Sequence, residues 1–135
     1  MLEGEGVPLK VTTSVRAALV AHANAELPNE ACGLVLFEGD VAVEYVPGRN
    51  ASPSPYHFEL EIDPLAWADL NDRDGTQAVF HSHISSPPRP SRTDVLNIGL
   101  WAGQPYLIYT VRTDELAAWR ILEDGAIEPI PLTPE

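Results

Sequence analysis

The chain has 135 residues, the usual length of one domain, and is long enough to bury an apolar core without disulfides or a structural metal. Its 44% hydrophobic and 21% charged residues are typical of globular proteins. Eight Lys and Arg against 20 Asp and Glu give a net charge of −12, which argues against a nucleic-acid footprint and against binding to anionic membranes.

The start of the chain and its single cysteine bear on where the protein works. Residues 1–6 lack the basic and apolar regions of a signal peptide, and no apolar run is long enough to span a membrane. Cys32 has no partner for an internal disulfide, which suits a reducing compartment. We therefore expect a soluble, cytoplasmic protein.

The first half of the chain predicts one helix among several strands. A short strand over 9–11 precedes a helix that starts at the hydroxyl residues 12–14 and ends near Glu26, before Pro28. Its expected buried face carries Val15, Ala18, Leu19, His22 and Ala25. Further strands are predicted over 31–37, 41–46 and 56–62, with a loop over 47–55 before the last of them.

The second half predicts two more helices and four strands. Asp63 and Pro64 start a helix over 65–71, and Ser91 starts another that reaches about Trp101. A proline-rich loop covers 84–90. Strands are predicted over 76–83, 105–111, 117–122 and 126–130. Because strands and helices do not alternate strictly, we expect an α+β fold: a single domain over 1–135, built on a mixed, curved sheet with a helix to either side.

A pair of histidines ends the strand over 76–83. His81 and His83 are two residues apart, so their side chains point to the same face of a strand. Two imidazoles on one face can bind one metal ion, although two histidines on a half-solvated face would give the same pattern. The pair is therefore a candidate metal site that needs further ligands.

Two more residues are candidates for the same site, each with a structural alternative. Asp94 is a candidate third ligand, but Ser91-x-x-Asp94 is also typical of a helix capping box. Glu30 stands at the entry to an apolar strand, where it is either a general base or simply an exposed acid. The spacing of each residue leaves both interpretations open.

Taken together, Glu30, His81-Ser82-His83, seven intervening residues and Ser91-x-x-Asp94 resemble the JAMM motif of the MPN+ metalloproteases. Residues 29–34 and 90–94 look like the small bacterial branch of that family, which processes ubiquitin-like sulfur-carrier proteins. One activity in that branch releases cysteine from the carrier's C-terminus. One departure is Ile84, where many members have proline, a difference that concerns the loop wall and no metal ligand.

The resemblance implies a fold, a cofactor and a substrate class. The fold is an MPN domain, a sandwich similar to that of cytidine deaminases. His81, His83 and Asp94 are expected to bind Zn²⁺, Glu30 to move protons, and Ser91 to stabilise the oxyanion. The expected reaction is hydrolysis of a peptide or isopeptide bond at the Gly-Gly tail of a ubiquitin-like carrier protein. The oligomeric state is left open, with a homodimer as one option.

Two other function classes were weighed. A non-catalytic MPN-type interaction scaffold is the alternative, but such scaffolds lack the ligand set that this chain retains. A zinc deaminase needs a Pro-Cys-x-x-Cys element, which a chain with one cysteine cannot supply.

Overall fold

A computed structural model describes residues 8–51, 60–62, 64–71 and 75–133. The strands are β1 Leu9–Val11, β2 Cys32–Glu38, β3 Val41–Pro47, β4 Arg49–Asn50, β5 Leu60–Glu61, β6 Thr76–His83, β7 Pro105–Thr110, β8 Glu115–Ile121, β9 Ile127–Ile130 and β10 Leu132–Thr133. Within the described ranges, eight of them form one sheet in the order β10-β1-β3-β2-β6-β7-β8-β9, and β4 pairs with β5 separately. The helices are α1 Thr13–Ala25, α2 Pro64–Asn71 and α3 Arg92–Leu96.

The large sheet is mixed. Strands β6 and β7 are parallel, as are β1 with β3 and β1 with β10, while the remaining pairs of that sheet are antiparallel. Strand β6 lies between β2 and β7, so its backbone is hydrogen-bonded on both sides. The predicted α+β fold with a mixed, curved sheet is confirmed.

Each face of the sheet buries its own apolar cluster, because successive residues of a strand point to opposite faces. On one face, α1 packs Val15, Leu19 and Ala23 against the sheet. On the other, Val95 of α3 packs against a second cluster that includes Leu34, Val79, Tyr106 and Ile108. A helix lies to either side of the sheet, as predicted.

Two details of the predicted helices are wrong. Ala18 and Ala25 of α1 are exposed, because the buried positions 15, 19 and 23 recur every four residues and leave both alanines off that face. The helix predicted to run to Trp101 ends at Leu96, with Asn97 as its C-cap, and a separate 3-10 turn covers Gly99–Trp101. Gly99 has a φ of 52°, a left-handed conformation that a continuous helix does not contain.

Several strand boundaries also differ from the prediction. Strand β10 was not predicted, and β4 lies inside the predicted loop over 47–55. Of the strand predicted over 56–62, residues 56–59 lie outside the described residues, as does Asp63, the predicted start of the second helix; the described part forms β5. None of the helices in the described ranges has the length and apolar character needed to cross a membrane.

Candidate metal centre

The two histidines lie on the last residues of the central strand β6. His81 is fully buried and His83 is 3% exposed. Their side chains share one face of the sheet, and their ring centroids are 4.8 Å apart. The strand therefore places both imidazoles where buried sheet gives way to loop.

Asp94 reaches the same point from the first turn of α3. Its Oδ2 atom lies 3.3 Å from Nε2 of His81 and 3.2 Å from Nε2 of His83. One ligand atom from each of the three buried residues lies within 4.8 Å of the others. A tetrahedral zinc ion with bonds of about 2.0–2.1 Å holds its ligand atoms about 3.3–3.4 Å apart. The two distances from Asp94 to the histidines match that spacing, and the cluster is compact enough to surround a single small cation.

The loop over 84–90 fixes the orientation of His83. Its Nδ1 atom donates a hydrogen bond of 2.8 Å to the carbonyl oxygen of Pro87, so in the neutral ring the lone pair is on Nε2, facing Asp94. Thr110 donates to the Ser86 carbonyl at 2.7 Å, and Trp119 donates to the Pro88 carbonyl at 2.7 Å. A proline-rich loop is thereby held against β7 and β8, and one of its carbonyls sets the tautomer of a candidate ligand.

Ser91 and Asp94 form the capping box that the sequence suggested. The backbone N–H of Asp94 donates to Ser91 Oγ at 3.0 Å, and the backbone N–H of Ser91 donates to Asp94 Oδ2 at 2.9 Å. The same Oδ2 faces both histidines, so the capping and ligand interpretations hold together. Ser91 accepts a hydrogen bond here and keeps its own hydroxyl proton to donate.

Glu30 is held next to the histidines by the residues around Ser82. Ala31 donates its N–H to Ser82 Oγ at 2.8 Å, and Ser82 donates its N–H to the Ala31 carbonyl at 3.0 Å. Asn50 donates to the Glu30 carbonyl at 2.8 Å. Because Cys32 pairs with His81 across β2 and β6, the side chain of Glu30, two residues earlier, lies on the same face.

Glu30 is 5% exposed, and its Oε1 atom has no hydrogen-bond partner among the described residues. Burial raises the pKa of Glu30 to about 8, opposed by the nearby His83 and reinforced by Asp94. Burying a carboxyl oxygen that has no hydrogen-bond partner lowers the stability of the fold, unless a further polar group in the site pairs with it. The geometry therefore leaves Glu30 ready to exchange a proton with a further group in the site.

The pKa of Asp94 is shifted in the opposite direction to that of Glu30, whereas the pKa of His83 is raised. Burial by itself raises the pKa of Asp94, but hydrogen bonds from His81 and His83 outweigh that effect and hold the pKa well below its usual range. Burial lowers the pKa of His83, and its hydrogen bonds to Asp94 and the Pro87 carbonyl overcome this and raise it. Without a bound ion, the site thus separates an acid that is ionised at neutral pH from one that keeps its proton.

The structure also shows participants that the sequence did not indicate. Tyr106 packs its ring 5.2 Å from that of His81, and the Pro87 carbonyl orients His83. Period-two alternation along β7 would have placed Tyr106 on the site face, once the pairing of β7 with β6 was known. A backbone carbonyl carries no sequence signal at all.

Other candidates lie outside the cluster. His22 shares a hydrogen bond of 2.6 Å with the Tyr45 hydroxyl on the α1 side of the sheet. Cys32 is buried, and burial raises the pKa of its thiol to about 12, so it is not an activated nucleophile. Arg92 is exposed, and His57 lies outside the described residues.

Comparison with known proteins places these residues in context. The family model for prokaryotic homologues of the JAB domain matches residues 12–122. The chain is 34% identical over 123 residues to the CysO-cysteine peptidase of Mycobacterium tuberculosis, covering 85% of this chain and 83% of that protein.

Solved structures show the same fold. The solution structure of protein DSY2949 from Desulfitobacterium hafniense is 28% identical and superposes with a TM-score of 0.77, covering 94% of this chain and 92% of that one. The crystal structure of AF2198, a JAB1/MPN domain protein from Archaeoglobus fulgidus, covers 95% of this chain and all of its own, with a TM-score of 0.58 and 17% identity. The likeness to AF2198 concerns the fold alone.

Proposed function

The chain belongs to the family of prokaryotic homologues of the JAB domain, and from that premise we propose that it is a zinc-dependent hydrolase acting on the C-terminal Gly-Gly tail of a ubiquitin-like sulfur-carrier protein. The scissile bond is a peptide or isopeptide bond that follows the tail. The single observation that carries this proposal is the buried cluster of His81, His83 and Asp94 with Glu30 beside it.

The comparisons with known proteins bear on the enzyme class as well as on the substrate. The prediction that the chain is a peptidase is confirmed by its family and by its likeness to CysO-cysteine peptidase over most of both chains. The name of that relative describes an adduct between a carrier and cysteine, which supports a carrier tail as the substrate here.

The donor set supports zinc as the bound ion. Two imidazole nitrogens and one carboxylate oxygen leave a fourth tetrahedral position open, as in catalytic zinc sites. The hydrogen bond from His83 to the Pro87 carbonyl is the kind of outer contact that orients a zinc-binding histidine. An intact, buried set of this kind also counts against a scaffold without catalytic function.

The proposed mechanism assigns one role to each remaining side chain. His81, His83 and Asp94 would hold the zinc ion, which would supply Lewis acidity to the attacking water and to the carbonyl that is attacked. Glu30 accepts the proton of the attacking water and passes it to the nitrogen of the leaving amine. Ser91 donates its free hydroxyl proton to the developing oxyanion, while its oxygen continues to cap α3.

The substitution Glu30→Gln tests the proposal, because it keeps the size of the side chain and removes its proton-accepting oxygen. We expect hydrolysis to fall by about 10²–10⁴-fold while the zinc content stays at one per chain. The measurement uses a carrier protein extended beyond its Gly-Gly tail by one residue, with products weighed by mass spectrometry and zinc by elemental analysis.

A matched control is Glu38→Gln, which removes the same charge from an exposed position at the far end of β2. That variant should hydrolyse the carrier at the normal rate. Full activity of zinc-loaded Glu30→Gln would remove Glu30 from the mechanism. Failure of the zinc-loaded natural chain to cleave any Gly-Gly-tailed carrier would remove the proposed substrate class.

A further inference from the structure

Positive charge is scarce in this chain, and two of its cations lie on the segment between the candidate ligands His83 and Asp94. Half of the eight Lys and Arg residues lie between positions 89 and 120, in a protein with a net charge of −12. Arg89 is on the loop that leads from His83 to Asp94, and Arg92 is the first residue of α3. These two cations are therefore the first candidates for binding an anionic group of the substrate.

Arg89 is the cation whose position the structure fixes best. Its guanidinium carbon lies 5.5 Å from the centre of the Trp119 ring. Trp119 in turn donates to the carbonyl of Pro88, the residue before Arg89, at 2.7 Å. Stacking on an indole ring orients a guanidinium group and leaves its N–H edge available. No carboxylate of the described residues forms an ion pair with Arg89.

The stacked arginine and the metal centre share one face of the sheet. Trp119 pairs with Tyr106 across β7 and β8, and the Tyr106 ring lies 5.2 Å from that of His81. The loop that carries Arg89 is the one whose Pro87 carbonyl orients His83. Strands β6 and β8 are two strand spacings apart, about 10 Å. One residue of extended chain covers about 3.3–3.6 Å of that separation.

We propose that Arg89 binds the C-terminal α-carboxylate of the residue that the enzyme releases. A planar guanidinium group forms paired hydrogen bonds with a carboxylate, and the proposed reaction leaves such a group one residue beyond the scissile bond. This inference rests on the proposed function. It makes the protein selective for a carrier that bears one terminal amino acid over a carrier joined to a lysine side chain, which presents no carboxylate at that distance.

The experiment measures binding, so that it does not depend on turnover. The zinc-loaded Glu30→Gln protein is titrated calorimetrically with acetyl-Gly-Gly-Ala as the free acid and as the C-terminal amide; alanine avoids the thiol of cysteine, which would itself bind zinc. We expect the acid to bind about tenfold more tightly, the scale of one charge-assisted hydrogen-bonded pair at a solvated site.

When Arg89→Gln is added, the free acid should bind only as tightly as the amide, and the affinity for the amide should not change. Arg89→Lys should keep part of the preference for the acid. Arg120→Gln is the matched control, because it also removes one positive charge. Arg120 follows Trp119 in β8, so its side chain lies on the opposite face of the sheet, where it donates a hydrogen bond to the Gly103 carbonyl. Equal affinities of acid and amide in the Arg89 protein would overturn the proposal. So would a preference that survives Arg89→Gln, or one that Arg120→Gln also abolishes.

Hydrolysis of the extended carrier, measured separately, distinguishes this inference from the proposed function. Cleavage of carrier adducts without any preference between acid and amide peptides removes the role of Arg89 and leaves the hydrolase intact. If Arg89→Gln abolishes the preference for the acid peptide but the protein cleaves no carrier, Arg89 binds the carboxylate and the carrier is not the substrate.

Discussion

At the scale of single residues, two acids in one buried site take opposite roles because their neighbours differ. Asp94 Oδ2 faces two histidines and a backbone N–H, which hold the pKa of its carboxyl group low. Glu30 has an oxygen without a hydrogen-bond partner among the described residues, and burial raises its pKa to about 8. Environment, rather than residue type, separates the proposed ligand from the proposed proton carrier.

The raised pKa of Glu30 predicts how the stability of the metal-free protein depends on pH. The unfolded chain ionises Glu30 near its ordinary pKa of 4.5, while the folded chain keeps the proton up to about pH 8. The contribution to stability is therefore fully present below pH 4.5 and is lost as pH rises towards 8, because unfolding then releases a proton.

Urea unfolding in chelator measures this effect between pH 5 and 8.5. We expect the free energy of unfolding to fall with pH by about 1–3 kcal/mol more in the natural chain than in Glu30→Gln, the range for a buried, unpaired polar group. The exposed Glu38→Gln serves as the control and should follow the natural chain. Parallel curves for the natural chain and Glu30→Gln would mean that Glu30 is ionised in the folded metal-free protein.

At the scale of elements, the short helix α3 both caps itself and delivers the candidate ligand. Its N-cap, Ser91, bonds to the Asp94 backbone, and Asp94 bonds back to the Ser91 backbone. Ser91→Ala removes the cap, which costs about 1 kcal/mol, whereas glycine at an N-cap costs only a few tenths. The two substitutions thus separate capping from catalysis.

We expect Ser91→Gly to keep nearly full stability while kcat falls about 10²–10³-fold, the loss typical of an oxyanion donor. Ser91→Ala should lose both stability and activity. Thermal unfolding and steady-state kinetics on the extended carrier measure the two effects. If Ser91→Gly retains normal kcat, the hydroxyl group only caps the helix.

The sequence predicted the strand that carries the histidines, but it did not predict the path of the neighbouring loop or the edge strand β10. Strand β6 follows from its apolar run, and the common face of its two histidines follows from their spacing of two residues; both are local signals. The path of the loop over 84–90 depends on bonds from Thr110 and Trp119, more than 20 residues away, so no local pattern reveals it. Strand β10 forms because it pairs with β1, near the other end of the chain. A strand of two residues is too short to show a hydrophobic period, so the sequence does not reveal it.

At the scale of the whole molecule, one of the two core clusters lies apart from the candidate metal centre. The cluster beneath α1 packs on the sheet face opposite the histidines, and includes Leu19, Val35, Phe80 and Leu107. Strands β2, β6 and β7 are also hydrogen-bonded along their length at the centre of the sheet. A metal ion bound at the end of β6 would therefore add stability to a fold that these strands and this cluster already hold together.

Removal of zinc should therefore lower the melting temperature without unfolding the chain. Free zinc at one hundred times its dissociation constant stabilises the folded state by about 2.7 kcal/mol, which for a domain of this size corresponds to roughly 5–15 °C. Calorimetry with added zinc and with chelator measures the shift, and far-ultraviolet circular dichroism reports the fold.

Asp94→Asn keeps the shape of the side chain and removes its charge, so the melting temperature of this variant should respond to zinc far less. Loss of the dichroism signal in chelator at 25 °C would show instead that the ion holds the sheet together, and an equal zinc response in Asp94→Asn would place the bound ion elsewhere.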